Sequence, residues 1–140
     1  MAENLPLLSV CCIAYNHEPY IVRCLEGIMA QQTTFRFEVI VHDDASSDNT
    51  AAIIRQYVSR YPDIFKPIYQ TENQYSKRFG IIREIIKPYL RGKYIAMCEC
   101  DDYWIDPLKL QKQVDYMEAH SDCTMTFLFF NNPTTTEKDM

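Results

Sequence analysis

The segment "YIAMCECDDYW", residues 94–104, joins an apolar run to a cluster of acidic residues. Its first five residues form an apolar run of the kind that makes a strand buried on both faces. Glu99, Asp101 and Asp102 follow directly. Carboxylates packed this closely raise one another's pKa values unless a cation lies among them. The segment therefore predicts a buried strand that ends at a charged site.

Other apolar runs of the same kind occur along the chain, and polar loops follow them. The run "LLSVCCIA" is followed by "YNHEPY", and "FEVIV" is followed by the acidic loop "HDDASSD". Short apolar runs bounded by turn residues are typical of strands. We predict strands at residues 7–14, 37–41, 67–70, 94–98 and 123–130.

Apolar residues at helical spacing separate these predicted strands. Helix starts are marked by residues that suit an N-cap and by proline in the first turn. We predict four helices, beginning near Pro19, at Ser47 or Asp48, at Ile81 and at Asp106-Pro107, with the third ending or kinking near Pro88.

This alternation of strands and helices predicts an α/β fold, a mostly parallel sheet with helices on both faces. Right-handed crossovers place the carboxyl end of every strand at one edge, where ligands of such sheets bind. The fold therefore brings one group of carboxylates to a single crevice: Asp43, Asp44, Glu99, Asp101 and Asp102.

Length and composition fit one soluble domain, with 140 residues, 47% hydrophobic and 24% charged. The net charge of −5 argues against a nucleic-acid partner, because nucleic-acid-binding domains are usually basic. We expect neither a membrane-spanning helix nor a secretory signal. The cysteines lie mainly in apolar runs, which is typical of a reducing cytoplasm. Cys98 and Cys100 do not have the usual zinc-pair spacing and no matching pair follows, so a zinc site is disfavoured.

The acidic edge can be interpreted in two ways. Taken alone, the pair Asp43-Asp44 is typical of a turn that caps a helix. The acidic residues after residue 98, taken alone, are typical of a solvated strand end. Together at corresponding strand ends they favour a divalent cation with oxygen ligands, Mg²⁺ or Mn²⁺. The three glycines form neither phosphate-binding glycine motif. We therefore expect a phosphate ligand to be held mainly through metal.

Three segments closely resemble the family 2 glycosyltransferases with the GT-A fold, a Rossmann-like α/β architecture. They are "LLSVCCIAYNHEPYI", "FEVIVHDDASSDNT" and "GKYIAMCECDDYWIDPLKLQKQVDYME". The chain is most similar to bacterial members that build surface polysaccharides. The resemblance predicts a donor-binding domain over residues 1–130, and we expect residues 131–140 to be a disordered tail.

The resemblance implies roles for residues of the first two segments. Ala14, Tyr15 and Asn16 match the family segment that lines the base and ribose of the nucleotide. Asp43 and Asp44 match the acidic pair in which a carboxylate accepts a hydrogen bond from the base, and the N3–H of uracil would suit it.

The third segment carries the family's D-x-D motif as Glu99-Cys100-Asp101. The resemblance implies that Glu99 faces the ribose, that Asp101 binds the metal on the diphosphate, and that Asp102 lies near metal and sugar. Lys77 or Arg78 would approach the base or phosphates, although a simple exposed basic loop is the commoner arrangement.

Some features depart from the family pattern. Glu99 replaces the usual first Asp, Ile13 stands where many members have Pro, and Cys100 is larger than the usual Gly or Ala. Family members are inverting and place their general base, an Asp or Glu, well downstream of the D-x-D. We therefore expect the base beyond residue 140 and interpret the chain as truncated.

The predicted function is metal-assisted transfer of a sugar from a nucleotide-diphospho-sugar, with UDP-sugar favoured, to a saccharide or lipid-linked acceptor. A lipid-linked acceptor would bring the protein to a membrane surface, and apolar surface left by a shortened domain would favour a homodimer. The alternative is a non-catalytic nucleotide-binding fragment or interaction module. An acid-cluster phosphatase is disfavoured, because Tyr15-Asn16 stands where its nucleophilic Asp would follow strand one.

Overall fold

The computed structural model of the protein describes residues 5–120. The predicted fifth strand at 123–130 and the tail at 131–140 lie outside the described residues. The elements are β1 Leu8–Ala14, α1 Glu18–Met29, β2 Phe37–Asp43, α2 Thr50–Arg60, β3 Phe65–Tyr69, α3 Ile81–Ile86 with a 3₁₀ turn at Lys87–Tyr89, β4 Tyr94–Glu99 and α4 Lys109–Ala119.

The four described strands form one sheet in the order β3-β2-β1-β4. All three neighbouring pairs are parallel. Since β1 lies between β2 and β4, the loops that follow these three strands meet at one edge. The predicted parallel sheet is confirmed for the strands that the structure describes.

Helices cover both faces of the sheet, as predicted. Alternate residues of β1, such as Val10 and Cys12, pack in a large core with residues of α1, α2 and α4. Cys11, on the opposite face of β1, packs with Ile82 and Ile86 of α3 in a smaller core. The near-continuous apolar run of β1 follows from this arrangement, because both faces of the strand are buried. The predicted burial of β4 on both faces is not found among the described residues, because Ile95 and Met97 on one of its faces are exposed.

Several element boundaries differ from the predicted ones. β3 begins at Phe65, two residues earlier than predicted, and α4 begins only at Lys109. Leu108 is the N-cap position of this helix, and Asp106 accepts a hydrogen bond from the N–H of Leu108 at 2.9 Å in the turn that precedes it. The α-helical hydrogen bonding of α3 ends at Ile86, before Pro88, as that proline predicts.

A buried carboxylate ties the amino edge of the sheet together. Glu38 is 1% exposed and accepts hydrogen bonds from Ser9 Oγ at 2.6 Å, and from the Arg91 N–H and Nε at 2.8 and 3.0 Å. Burial acts to raise the pKa of Glu38, but these hydrogen bonds and the Arg91 charge outweigh it and lower that pKa. A Cβ on Gly92 would lie 2.6 Å from the backbone N of Ser9, so this close approach requires glycine.

Within residues 5–120, none of the helices has both the length and the apolar composition needed to cross a bilayer.

Candidate functional site

The end of β1 is flanked on both sides by acidic loops. The N–H of Asp44, after β2, donates to the carbonyl oxygen of Ala14 at 2.9 Å. The N–H of Cys100, after β4, donates to the carbonyl oxygen of Ile13 at 3.0 Å. These backbone bonds continue the two parallel ladders past the strand ends. The acidic segments after β2 and β4 therefore lie on either side of one strand end.

The loop after β1 is fastened to the loop after β2 through Asn16. Its side-chain oxygen accepts a hydrogen bond from the N–H of Ser47 at 2.8 Å, and its own N–H donates to Ser46 Oγ at 2.8 Å. Asn16 has a φ of 52°, a left-handed conformation that Asn adopts more readily than most residues. Ala14 is buried, whereas Tyr15 presents 45% of its surface to solvent. Tyr15 is thus left available at the edge.

Asp43 and Asp44 are both buried and both organise loops. Asp43 Oδ1 accepts a hydrogen bond from Ser46 Oγ at 2.6 Å. The carboxylate oxygens of Asp44 accept from the N–H groups of Gln74 and Tyr75, at 2.6 and 3.0 Å. Asp44 therefore holds the loop after β3 over the same edge of the sheet. Its role as a loop organiser could not be read from the sequence, because the partners are backbone groups thirty residues away.

A cavity of about 530 Å³ lies beside Asp44. Its walls come from the loops after β1, β2 and β3 and from the start of α3. The sequence does not single out the lining residues that lie in the loop after β3. The one feature that could have indicated them is that this loop follows a strand of the same parallel sheet. The cavity is lined by Ile13, Tyr15, His17, Asp44, Asn73, Tyr75, Ser76 and Ile82.

His42 lies next to Ile13 in the sheet register, and Ile13 lines this cavity. The side chain of His42 is fully buried, and its Nε2 lies 3.3 Å from Gln70 Nε2. Its Nδ1 has no hydrogen-bond partner among the described residues. Burial lowers the pKa of His42 below its ordinary value, although the charges of Asp44 and Asp43 oppose the shift.

The loop after β4 presents carboxylates to solvent. Glu99 and Asp101 are exposed, whereas Cys98, which precedes them, and Cys100, which lies between them, are buried. The N–H of Asp102 donates to the carbonyl oxygen of Glu99 at 2.9 Å, which closes a tight turn around Asp101. The alternation therefore places Glu99 and Asp101 outward, where hard oxygen donors suit a divalent cation.

The loop after β4, residues 99–104, is called the acidic loop from here on. It is anchored by Trp104, which is only 7% exposed and belongs to the large core. Gly27 of α1 allows the close approach, because a Cβ there would lie 2.8 Å from the carbonyl oxygen of Trp104. Lys109 Nζ lies 4.6 Å from the centre of the Trp104 ring. Trp104 therefore acts as an aromatic anchor that joins this loop to the core.

Lys77 and Arg78, which the sequence placed near the base or phosphates, are engaged in exposed ion pairs. Lys77 Nζ lies 2.9 Å from Glu72, and Arg78 lies 2.6 Å from Glu84. Exposed ion pairs of this kind contribute little to stability. Their approach to a nucleotide stays a prediction.

A family model described as glycosyl transferase family 2 matches residues 9–140. The chain belongs to glycosyl transferase family 2. The predicted family is thereby confirmed.

Two relatives illustrate the range of similarity. The uncharacterized protein Rv1520 of Mycobacterium tuberculosis is 45% identical over 123 residues, which cover 86% of this chain and 34% of that protein. The UDP-Glc:alpha-D-GlcNAc-diphosphoundecaprenol beta-1,3-glucosyltransferase WfaP of Escherichia coli is 31% identical over 115 residues, covering 82% and 43% respectively. The chain thus spans less than half the length of these relatives.

Among solved structures, TarS of S. aureus, residues 1–349 in complex with UDP-GlcNAc, superposes with a TM-score of 0.67 at 28% identity. The match covers 81% of this chain and 32% of that one. The α/β, GT-A-type fold predicted from the sequence is confirmed by this similarity and by the parallel sheet.

Proposed function

We propose that the chain binds the donor of a family 2 glycosyltransferase, a UDP-sugar, and that its metal-assisted, inverting reaction passes the sugar to a saccharide or lipid-linked acceptor. One observation carries the proposal: the segments of Asp44 and Cys100 bond to opposite sides of the end of β1. A donor needs a base pocket and a diphosphate site side by side, and this arrangement supplies candidates for both. The TarS complex with UDP-GlcNAc and the similarity to the UDP-Glc:alpha-D-GlcNAc-diphosphoundecaprenol beta-1,3-glucosyltransferase WfaP favour uridine.

In the proposed complex the uracil base occupies the cavity beside Asp44. Its size is that of a small-molecule site, and Tyr15 and Tyr75 offer flat apolar surfaces to a planar ring. The Asp44 oxygens accept backbone N–H groups, but a carboxylate oxygen has more than one lone pair and can accept a further bond. Asp43 and Asp44 are therefore proposed to recognise the uracil N3–H, with Ala14, Tyr15 and Asn16 beside the base and ribose.

Glu99, Asp101 and Asp102 lie in one tight turn at the open edge and carry hard oxygen donors, the donor type that a divalent cation prefers. We assign Asp101 and Asp102 as ligands of Mn²⁺ or Mg²⁺ and Glu99 to the ribose. When bound, the cation supplies positive charge that stabilises the leaving diphosphate. The protein's own contribution is to hold these carboxylates in place through the Ile13 to Cys100 bond and the Trp104 anchor.

No residue between 5 and 120 is assigned as the general base, which the proposal places beyond residue 140. The second candidate function is nucleotide binding without transfer. A cytoplasmic location, a homodimer and membrane association through a lipid-linked acceptor stay predictions.

The proposal is tested by calorimetric titration of the full chain with UDP, in Mn²⁺ and in a chelator. We expect binding that is at least about tenfold tighter with Mn²⁺, and weaker binding of ADP under the same conditions. Equal affinities for UDP and ADP, or no binding of either, would contradict it. Hydrolysis of a UDP-sugar by the same sample would separate the transferase from the purely binding alternative.

A further inference from the structure

Four of the five cysteines in the described part of the chain converge beneath the acidic loop. Cys12 of β1 and Cys98 of β4 are direct partners in the parallel register. Cys100 lies two residues further along and belongs to the same core. Cys24 comes from α1, which packs over these two strands. All four side chains are buried.

The sulfur atoms lie close to the spacing of a metal–thiolate site. Cys24 Sγ and Cys98 Sγ are 3.7 Å apart. The sulfurs of Cys12, Cys24 and Cys100 all lie within 4.8 Å of one another. Tetrahedral zinc with bonds of about 2.3 Å separates its sulfur ligands by about 3.8 Å. A contraction of at most about 1 Å would therefore bring the three sulfurs to that separation.

We propose that Cys12, Cys24 and Cys100, with Cys98 as the fourth ligand, form a buried site for one thiophilic d¹⁰ metal ion of the Zn²⁺ or Cu⁺ class. Each ligating thiol gives its proton to the solvent as its sulfur bonds to the metal, and nothing is oxidised or reduced. Soft sulfur donors select such ions over Mg²⁺ and Mn²⁺. The site is therefore chemically distinct from the carboxylates of Asp101 and Asp102.

Spacing along the chain does not reveal this group, because its members come from three separated segments. A zinc site of the usual kind shows two closely spaced Cys or Cys/His pairs in the sequence. Here the partners Cys12 and Cys24 precede Cys98 and are not closely spaced. Cys11 provides the contrast within the same strand. It is a single thiol on the other face of β1, packed among Ile40, Ile82 and Ile86, as expected of a cysteine that only fills space.

A metal ion in the thiol site would stabilise the acidic loop from the core side of the sheet. Cys100 is the central residue of Glu99-Cys100-Asp101, and its side chain points into the core while its neighbours are exposed. A metal bound to Cys100, Cys12 and Cys24 would join β4, β1 and α1 directly under that loop. We therefore expect the bound metal to raise the midpoint of thermal unfolding.

The test is a titration of the reduced full chain with Cd²⁺ alone, followed by the near-ultraviolet sulfur-to-metal charge-transfer absorption. We expect saturation at one equivalent per chain. Cys24→Ala should lose the absorption or bind more than about tenfold more weakly. Cys11→Ala, the matched buried control, and Asp101→Asn should both retain it. Retention by Asp101→Asn separates this site from the proposed donor site.

X-ray absorption of the zinc-loaded wild-type chain keeps the proposal testable if Cys24→Ala does not fold by circular dichroism. We expect three or four sulfur neighbours at about 2.3 Å. A shell of oxygen and nitrogen alone, no stoichiometric binding, or an equal loss in Cys11→Ala would overturn the proposal. Each of these results would leave the thiols as packing residues.

Discussion

The backbone N–H of Cys100 donates to the carbonyl oxygen of Ile13 across 3.0 Å. This bond extends the β1–β4 ladder by one residue and fixes where the acidic loop begins. On the other side of β1, the N–H of Asp44 bonds to Ala14 in the same way. The placement of the carboxylates is thus set by backbone pairing and does not require their side chains to attract one another. Substitution of Glu99 or Asp101, whose side chains are exposed, should therefore change binding without undoing the loop after β4.

Asp101→Asn is expected to abolish the rise in melting temperature that UDP with Mn²⁺ produces in the wild-type chain. The change removes the negative charge of a proposed metal ligand but keeps its size. Because Asp101 is exposed, the unliganded melting temperature should stay nearly unchanged.

The matched control for Asp101→Asn is Asp63→Asn. Asp63 is also exposed, but it precedes β3 and so lies at the opposite edge of the parallel sheet. It should respond to UDP and Mn²⁺ as the wild type does. An equal response from both variants would count against Asp101 as a ligand.

Gly27→Ala is expected to lower the free energy of unfolding by about 1–3 kcal/mol, because its Cβ meets the Trp104 backbone. Displacement of the Trp104 segment should also weaken binding of UDP with Mn²⁺, measured by calorimetry. Gly80→Ala is the comparison. Gly80 has a φ of 81° but no neighbour within 4 Å of a Cβ, so Gly80→Ala should cost about 1–2 kcal/mol of stability through backbone strain without displacing the Trp104 segment.

Ala45→Gly is expected to raise the free energy of unfolding by about 0.5–1 kcal/mol. Ala45 follows Asp44 with a φ of 63°, a left-handed conformation that is unfavourable for alanine and costs glycine little. Urea unfolding measures the change. Ala52→Gly, on the exposed side of α2, should lose about 1 kcal/mol, and the same sign for both variants would refute the assignment of strain.

His42 should make the fold less stable as the pH falls. Its pKa in the folded protein lies below the ordinary value of 6.5, chiefly because of burial, so the unfolded chain binds more protons in that interval. Its contribution is complete above pH 6.5 and is lost as the pH falls towards the folded pKa. Measurements between about pH 5 and 7.5 avoid the pH range in which Glu38 affects stability. The pKa of Glu38 is lowered from 4.5 in the folded protein, so its contribution to stability is lost only at more acidic pH.

His42→Gln should flatten this dependence in urea unfolding across that range, because glutamine does not titrate. His120→Gln provides the control, since His120 is an exposed residue at the end of α4. The slope should persist in His120→Gln. An unchanged slope in His42→Gln would mean that another group is responsible.

Much of the fold was predictable because each element carries its own local signal. The apolar runs of β1, β2 and β4 and the helical spacing between them specify a parallel sheet, and the sheet specifies which loops meet. β3 was placed less well, since Lys66 and Pro67 interrupt the apolar pattern of Phe65–Tyr69. The start of α4 was missed because the Asp106 turn and a true N-cap share the same residue types.

The candidate site was predictable only in its composition. The sequence places Asp44 near Asn16, but not the bonds from Asp44 to the Gln74 and Tyr75 backbone or from Asn16 to Ser47. These bonds join separate loops, so they depend on tertiary structure that no local pattern encodes. The convergence of buried thiols around Cys24 was hidden for the same reason.

The most direct measurement is a crystal structure of the full chain with UDP and Mn²⁺. We predict uracil in the cavity between Tyr15 and Tyr75, with its N3–H directed at Asp43 or Asp44. The metal should lie about 2.0–2.2 Å from an Asp101 oxygen and touch the diphosphate. UDP bound away from the carboxyl edge of the sheet, or a metal on the diphosphate without a carboxylate from the segment after β4, would contradict the proposed donor site.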